Sequence, residues 1–216
     1  SECKSFITTT KMLKDLDSQH KKVSCKIETI DGDYSGSFFS DFNENEPLEI
    51  IEKQNEDDLA AILYTSGTTG RSKGAMLSHK NLLSNALTLS DSWGFTASDV
   101  LLHALPIYHT HGLFVATNIS LASRSQIRFL KKFDEDDIIA NLPYSTVMMG
   151  VPTFYTRLLA NRKFNKEITK NMRLFISGSA PLLKETHEKF QYITGHKILE
   201  RYGMTETNMI TSNPYS

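Results

Sequence analysis

Eleven consecutive residues, Tyr64-Thr-Ser-Gly-Thr-Thr-Gly-Arg-Ser-Lys-Gly74, gather the groups that hold phosphate. Gly67, Gly70 and Gly74 let a backbone turn tightly and approach a ligand without a Cβ in the way. Thr65, Ser66, Thr68 and Thr69 bring hydroxyls, the loop brings amide N–H groups, and Lys73 brings a positive charge. Leu59 to Tyr64, just before it, is an unbroken apolar run and reads as a parallel strand buried on both faces. The combination predicts a phosphate cradle at the carboxyl edge of a parallel sheet. The glycine and lysine spacing differs from the GxxxxGK(S/T) loop of P-loop NTPases.

Three further strings follow. Leu105-Pro-Ile-Tyr-His-Thr-His-Gly112 carries two histidines, but no Cys, His or carboxylate cluster completes a zinc site around His109 and His111. Either could also be a packed core histidine. Ser177-Gly-Ser-Ala-Pro181 closes a strand read at Leu174 to Ile176 and, taken alone, is a strand-to-helix turn. Arg201-Tyr-Gly-Met-Thr-Glu206 follows a last strand read at Lys197 to Leu199 and, taken alone, is a turn with a solvated glutamate.

In this order the strings resemble the signatures of the adenylate-forming superfamily of acyl-CoA synthetases, luciferases and peptide-synthetase adenylation domains. The resemblance implies activation of a carboxylate by Mg-ATP as an acyl-adenylate, release of pyrophosphate, and transfer to a thiol. It implies ATP phosphates at Thr65, Ser66, Gly67, Thr68, Thr69, Gly70 and Lys73. Adenine would lie at Gly178, Ser179, Ala180, Pro181, Arg201, Tyr202 and Gly203, with the Tyr202 ring beside the base. Lys73, Thr205, Glu206 and His109 would be the catalytic set: Thr205 on phosphate, Glu206 on Mg²⁺, His109 gating the acyl pocket. Magnesium prefers hard oxygen ligands shared with substrate phosphates, which suits a glutamate.

Met148-Met-Gly-Val-Pro-Thr-Phe-Tyr-Thr-Arg157 and Glu206-Thr-Asn-Met-Ile-Thr-Ser-Asn-Pro-Tyr215 narrow the resemblance to malonyl-CoA synthetases. The acid would then meet His111, Arg157 and Met204. A helix after a strand at Thr146 to Val151 is expected to aim Arg157 at the edge holding the phosphate loop, where its guanidinium could take a distal carboxylate in a bidentate pair. The reaction implied is malonate, CoA and ATP to malonyl-CoA, AMP and pyrophosphate. A short- or medium-chain acyl-CoA synthetase and a nucleotide-binding module without turnover are the alternatives.

These residues need a scaffold, and the chain alternates strand-length apolar runs with helical patterns nearly throughout. Strands are read at Lys4 to Thr8, Cys25 to Ile30 and Val100 to Leu105, and helices at Thr10 to His20, at Leu183 to Thr194 and from a Ser78 cap. Leu82, Leu83, Ala86 and Leu87 form the apolar stripe of the last. Ser35 to Asp58 reads as surface loop with one helical turn at most. Such alternation predicts an α/β fold with two doubly wound parallel-sheet subdomains, 1–96 and 97–216, both incomplete relative to the family. With 24 Lys and Arg against 25 Asp and Glu, the chain has no charge excess for nucleic acid. No apolar run reaches the roughly 20 residues of a membrane span. Cys3 and Cys25 read as buried free thiols of a reduced compartment, cytoplasmic or another. The resemblance implies small-molecule partners: ATP, a dicarboxylic acid and CoA. Family members extend further at both ends and carry a Tyr-Arg-Thr-Gly-Asp-like motif, a hinge and a small domain with a catalytic lysine. A fragment without them is expected to lose thioester formation.

Overall fold

The computed structural model describes residues 3–18, 24–44, 46, 49–65 and 72–215. It divides into two compact units, Ser1–Lys53 and Gln54–Ser216. The subdomain boundary expected near residue 97 falls inside the second unit.

In the first unit, β1 (Ser5–Thr8) and β2 (Lys26–Thr29) pair in parallel, with Ser5 opposite Lys26. Between them runs α1 (Thr10–Ser18). The Asp31 carboxylate receives the Thr10 amide at 3.1 Å and the Thr10 hydroxyl at 2.5 Å, satisfying donors that a helix start leaves open. α2 (Ser37–Glu44) is a full two turns where the sequence suggested one at most. Its polar composition hides an aromatic pair, Phe38 and Phe39, packed edge to face. Both cysteines are free, as expected, but Cys3 is exposed and Cys25 only half-buried. Cys3 lies two residues before β1, a strand with a single partner, and is left uncovered.

The second unit holds a six-stranded sheet in the order β10-β9-β8-β7-β5-β6. Its strands are β5 (Val100–His103), β6 (Gln126–Phe129), β7 (Val147–Gly150), β8 (Leu174–Ser177), β9 (Ile198–Met204) and β10 (Asn208–Ser212). All neighbours are parallel except β9 and β10. Alternate residues point to opposite faces, so each inner strand serves two cores. Leu101, Val147, Met149, Leu174, Ile176 and Leu199 join Leu89, Trp93, Val115 and Ile119 on one face. Leu102, Met148, Phe175 and Ile198 join Ile138, Tyr155, Leu158 and Phe190 on the other. The first face is covered by α3 (His79–Ser92), a π-helical turn (His111–Ala116) and α4 (Thr117–Ser123). The second is covered by α5 (Glu135–Asn141), α6 (Pro152–Ala160) and α7 (Lys184–Thr194). The sheet is doubly wound, as the alternation predicts.

Local signals set the helix ends. Ser78 and Asn81 form a reciprocal capping box on α3. The Asp134 carboxylate caps α5, Pro152 opens α6, and Gly195 in the left-handed region stops α7. The stripe on α3 is shifted, however: Leu83 and Leu87 are exposed, and Ala86, Leu89 and Trp93 carry the burial. At the amino end of the sheet, Arg173 pairs with Asp99 at 2.7 and 2.8 Å, and the Thr146 hydroxyl donates to the same carboxylate at 2.7 Å. These contacts tie together the starts of β5, β7 and β8.

One strand assignment is overturned. β3 (Leu59–Thr65) is not a doubly buried parallel strand. It pairs antiparallel with β4 (Lys73–Ser78) as a two-stranded ribbon, and Leu59 and Tyr64 are exposed. A connection from Thr65 to Lys73 is too short for a parallel crossover, which needs a dozen or more residues.

Candidate active site

The carboxyl ends of five strands open onto one cavity of about 980 Å³. Leu105 follows β5, Phe129 ends β6, Val151 follows β7, Ser179 follows β8, and Arg201, Gly203 and Met204 come from β9. This is the edge where parallel α/β sheets present ligand groups. Tyr108, Phe129, Phe133, Phe154 and Met209 make much of the lining apolar. Phe133 and Phe154 stack at 4.1 Å. Polar groups are few: His109, Thr110, His111, Ser179, Arg201 and Thr205, with Lys131 and Lys132.

Arg201 dominates the electrostatics. Its residue is 6 % exposed, yet its Nε and one terminal nitrogen have no hydrogen-bond partner among the described residues. Burial pushes the guanidinium pKa down to about 10, which still leaves it charged at neutral pH. Gly178 makes room for it, because a Cβ there would lie 2.2 Å from the Arg201 Cζ. The next residue, Ser179, takes φ +68°, a left-handed conformation that a non-glycine residue adopts only when its surroundings impose it. Its hydroxyl lies 3.4 Å from His111 Nδ1. The His111 Nε2 is buried without a partner among the described residues. Burial first, then the charge of Arg201, hold the imidazole well below its ordinary pKa, so it is neutral. A buried cation without a partner among the described residues, beside an imidazole nitrogen that is likewise open, has the chemistry to receive an anion.

Of the residues assigned from sequence, His109, His111, Ser179, Arg201, Gly203, Met204 and Thr205 come together around this cavity. Gly178 lies behind Arg201, while Ala180, Pro181 and Tyr202 are exposed near the same edge. β9 runs on through Met204, so the Arg201 to Glu206 string is the end of a strand and its turn rather than a loop after the strand. Glu206 is exposed and lines a separate small recess with Asn81, Asn85, Thr207 and Asn208. Thr65 and Lys73 face each other as register partners across the β3–β4 ribbon. Ser66, Gly67, Thr68, Thr69 and Gly70 lie outside the described residues.

Arg157 is not where the sequence reading put it. Its Nε bonds Glu135 at 2.9 Å, its guanidinium sits over the Phe133 ring at 4.6 Å, and it does not line the cavity. The reason is helical phase: Tyr155, Leu158 and Leu159 bury the core face of α6, which turns Arg157 outward. Sequence reasoning also missed Thr110, Phe129, Phe133 and Phe154. The strand-end rule, applied to β6 and β7 as well as to the motifs, would have named Phe129 and the start of α6.

Among the described residues no three His, Cys, Asp or Glu side chains cluster as a metal site, and no helix is long and apolar enough to cross a membrane. A single exposed carboxylate such as Glu206 fits magnesium held mainly by substrate phosphates and water.

Mouse (Mus musculus) malonate–CoA ligase ACSF3, mitochondrial, is 41% identical over 189 residues, 78% of this chain and 31% of the relative. Arabidopsis thaliana malonate–CoA ligase is 40% identical over 178 residues, 73% of this chain and 29% of that protein. ATP-bound MatB from Rhodopseudomonas palustris matches with a TM-score of 0.91 and 56% identity, over 99% of this chain and 42% of that structure. The chain therefore spans about a third of the length of the curated relatives it matches. A family model described as AMP-binding enzyme matches residues 1–216, so the chain belongs to the AMP-binding enzyme family.

Proposed function

We propose that the chain is the acid- and nucleotide-binding part of an ATP-dependent acid–thiol ligase whose acid is a short dicarboxylate, malonate foremost. The observation that carries this reading is Arg201: a buried, charged guanidinium with two nitrogens unpartnered among the described residues, in a largely apolar cavity. One carboxylate of malonate attacks the ATP α-phosphate, giving malonyl-adenylate and pyrophosphate. The CoA thiol then displaces AMP to give malonyl-CoA. The second carboxylate must be held close by, and Arg201 can take it through two parallel hydrogen bonds. Neutral His111 can add an Nε2–H donor to the same group while Nδ1 accepts from Ser179. This moves the carboxylate-holding role from Arg157 to Arg201, and so takes Arg201 from the place beside adenine to the acid.

Thr65 and Lys73 are proposed on the ATP phosphates, with Lys73 countering charge that develops as pyrophosphate leaves. Thr205 and His109, which line the cavity, would touch phosphate and gate the acid's entry. Magnesium, held by Glu206 with the phosphates, would neutralise phosphate charge. The relatives named malonate–CoA ligase and the ATP-bound neighbour support this class of reaction.

The aromatic lining favours a second reading, a short- or medium-chain monocarboxylate. The Arg201 charge speaks against it, because a hydrocarbon tail would leave that charge buried and unpaired. Pyrophosphate release by a protein of the relatives' full length, across mono- and dicarboxylates, separates the two. Malonate should exceed butyrate in kcat/KM by about 100-fold or more, as expected when a site's polar groups lose their partner. A preference for butyrate would leave acid activation standing and remove the dicarboxylate.

A further inference from the structure

His103 closes β5 and lines no part of the cavity, yet it touches two of its walls. Its ring stacks on Phe129, its register partner on β6, at 4.5 Å between centroids. Its Nε2 lies 2.9 Å from the Gly112 carbonyl oxygen. A carbonyl can only accept, so Nε2 carries the proton. The residue is 1 % exposed, and buried donors are paired in the great majority of cases.

Gly112 is the second residue of the π-helical turn His111–Ala116. Such widened turns displace carbonyls from ordinary helical pairing and are found disproportionately at functional sites. Here the displaced carbonyl is held from two sides, by His103 and by the Thr117 hydroxyl at 3.0 Å. The chain also folds back on itself: a Cβ on Gly112 would lie 2.3 Å from the Pro106 carbonyl oxygen. The whole path from Pro106 to His111 is thus keyed to the position of one peptide group. That path carries His109 and His111 to the cavity.

We propose that His103 is a positioning residue for acid recognition: its Nε2–H locks the π-helical turn so that His111 stands open beside Arg201. This rests on the acid-site reading above. The imidazole acts through Gly112 and Phe129, without touching substrate.

The test uses His103→Leu, which keeps volume and removes the donor, and His103→Gln, whose amide nitrogen can reach the ε position. Both are made in a protein of the relatives' full length. For the Leu variant, KM for malonate should rise about 10-fold or more while KM for ATP stays within about twofold, the signature of lost acid binding alone. Gln should recover most of that loss. Amide hydrogen exchange without substrate should speed up over residues 113–117 in Leu and not in Gln, because the turn opens locally. A wild-type KM for malonate in Leu, an equal loss in Leu and Gln, or parallel losses toward ATP and malonate would each overturn the proposal. If Leu does not fold, the Gln variant decides: fast exchange at 113–117 there rejects the lock. A wild-type enzyme with no dicarboxylate preference would sink the acid reading instead, and the exchange measurement would still judge His103.

Discussion

Replacing Arg201 with methionine should make the ligand-free protein more stable and blind to dicarboxylates. The guanidinium is buried among Gly178, the His111 side of the cavity and β9, and its pKa falls to about 10 because water has been removed from around it. The sign follows directly. The folded state holds this proton less tightly than the unfolded chain, so the charge disfavours folding at every pH below about 10. That penalty lifts only as pH rises through the interval above it. At about 1.4 kcal/mol per tenfold change, the depression corresponds to about 3 kcal/mol. Methionine keeps the length and apolar stem, so most of that should be recovered, less about 1 kcal/mol for altered packing. A net gain of about 2 kcal/mol raises the melting temperature by about 4–8 °C for a unit of this size. Wild type should gain further stability on adding malonate, through binding to the folded state alone. The variant should gain none. The assay is thermal and urea unfolding of both proteins, with and without malonate. A methionine variant less stable than wild type by 1 kcal/mol or more would refute the reasoning, since Arg201 would then be a satisfied structural cation rather than a waiting one.

Other outcomes follow from the same geometry. Gly178→Ala should weaken malonate binding about 10-fold or more while sparing ATP, since a Cβ 2.2 Å from the Arg201 Cζ must displace the guanidinium. Calorimetric titration with each ligand reads this. Burial works to raise the Asp99 pKa, but bonds from Arg173, the Thr96 amide and the Thr146 hydroxyl outweigh it and hold the carboxyl below its ordinary 3.8. Its stabilisation is therefore complete above that value and lost as pH falls through the folded-state pKa. Asp99→Asn should cost about 2–3 kcal/mol at neutral pH and flatten the acid limb of an unfolding-versus-pH curve. Glu206→Gln, in a protein of full family length, should need about fivefold more Mg²⁺ for half-maximal pyrophosphate release. An unchanged magnesium titration would remove Glu206 from the metal.

Much of the sheet was legible because its strands are doubly buried. Val147-Met-Met and Leu174-Phe-Ile are apolar at every position, since neighbouring residues feed different cores. The same signature misled at Leu59 to Tyr64. An apolar run announces a strand but not its partner, and here the partner is the nearby Lys73–Ser78 segment. The two arginines teach a similar lesson. Both sit in motif-like strings, and only side-chain phase separates them. Arg201 lies two residues beyond Leu199 and so shares the face that packs under the π-helical turn, where His111 is found. Arg157 falls between Tyr155 and Leu158, off the buried stripe of α6. Phase counting could have chosen Arg201, once the directions of β9 and α6 were known. The open hydrogen-bonding capacity of Arg201 and His111 could not be read in advance, because it depends on which groups fail to arrive.

The β3–β4 ribbon has a consequence in time. Thr65 meets Lys73 across only seven intervening residues, whereas the β5–β7 pairing joins Leu101 to Val147 across β6 and the two crossover connections that flank it. Hairpins close in about 1–10 μs, while long-range parallel pairing waits on costly loop closure. The two ends of the glycine-rich segment can therefore meet early in folding. The pocket at the sheet edge, with Arg201 on β9, must wait until β7, β8 and β9 have docked in sequence. The two parts of the site have separate birthdays, and a pulse-labelling experiment would see protection at Ala61 to Tyr64 before protection at Ile198 to Arg201.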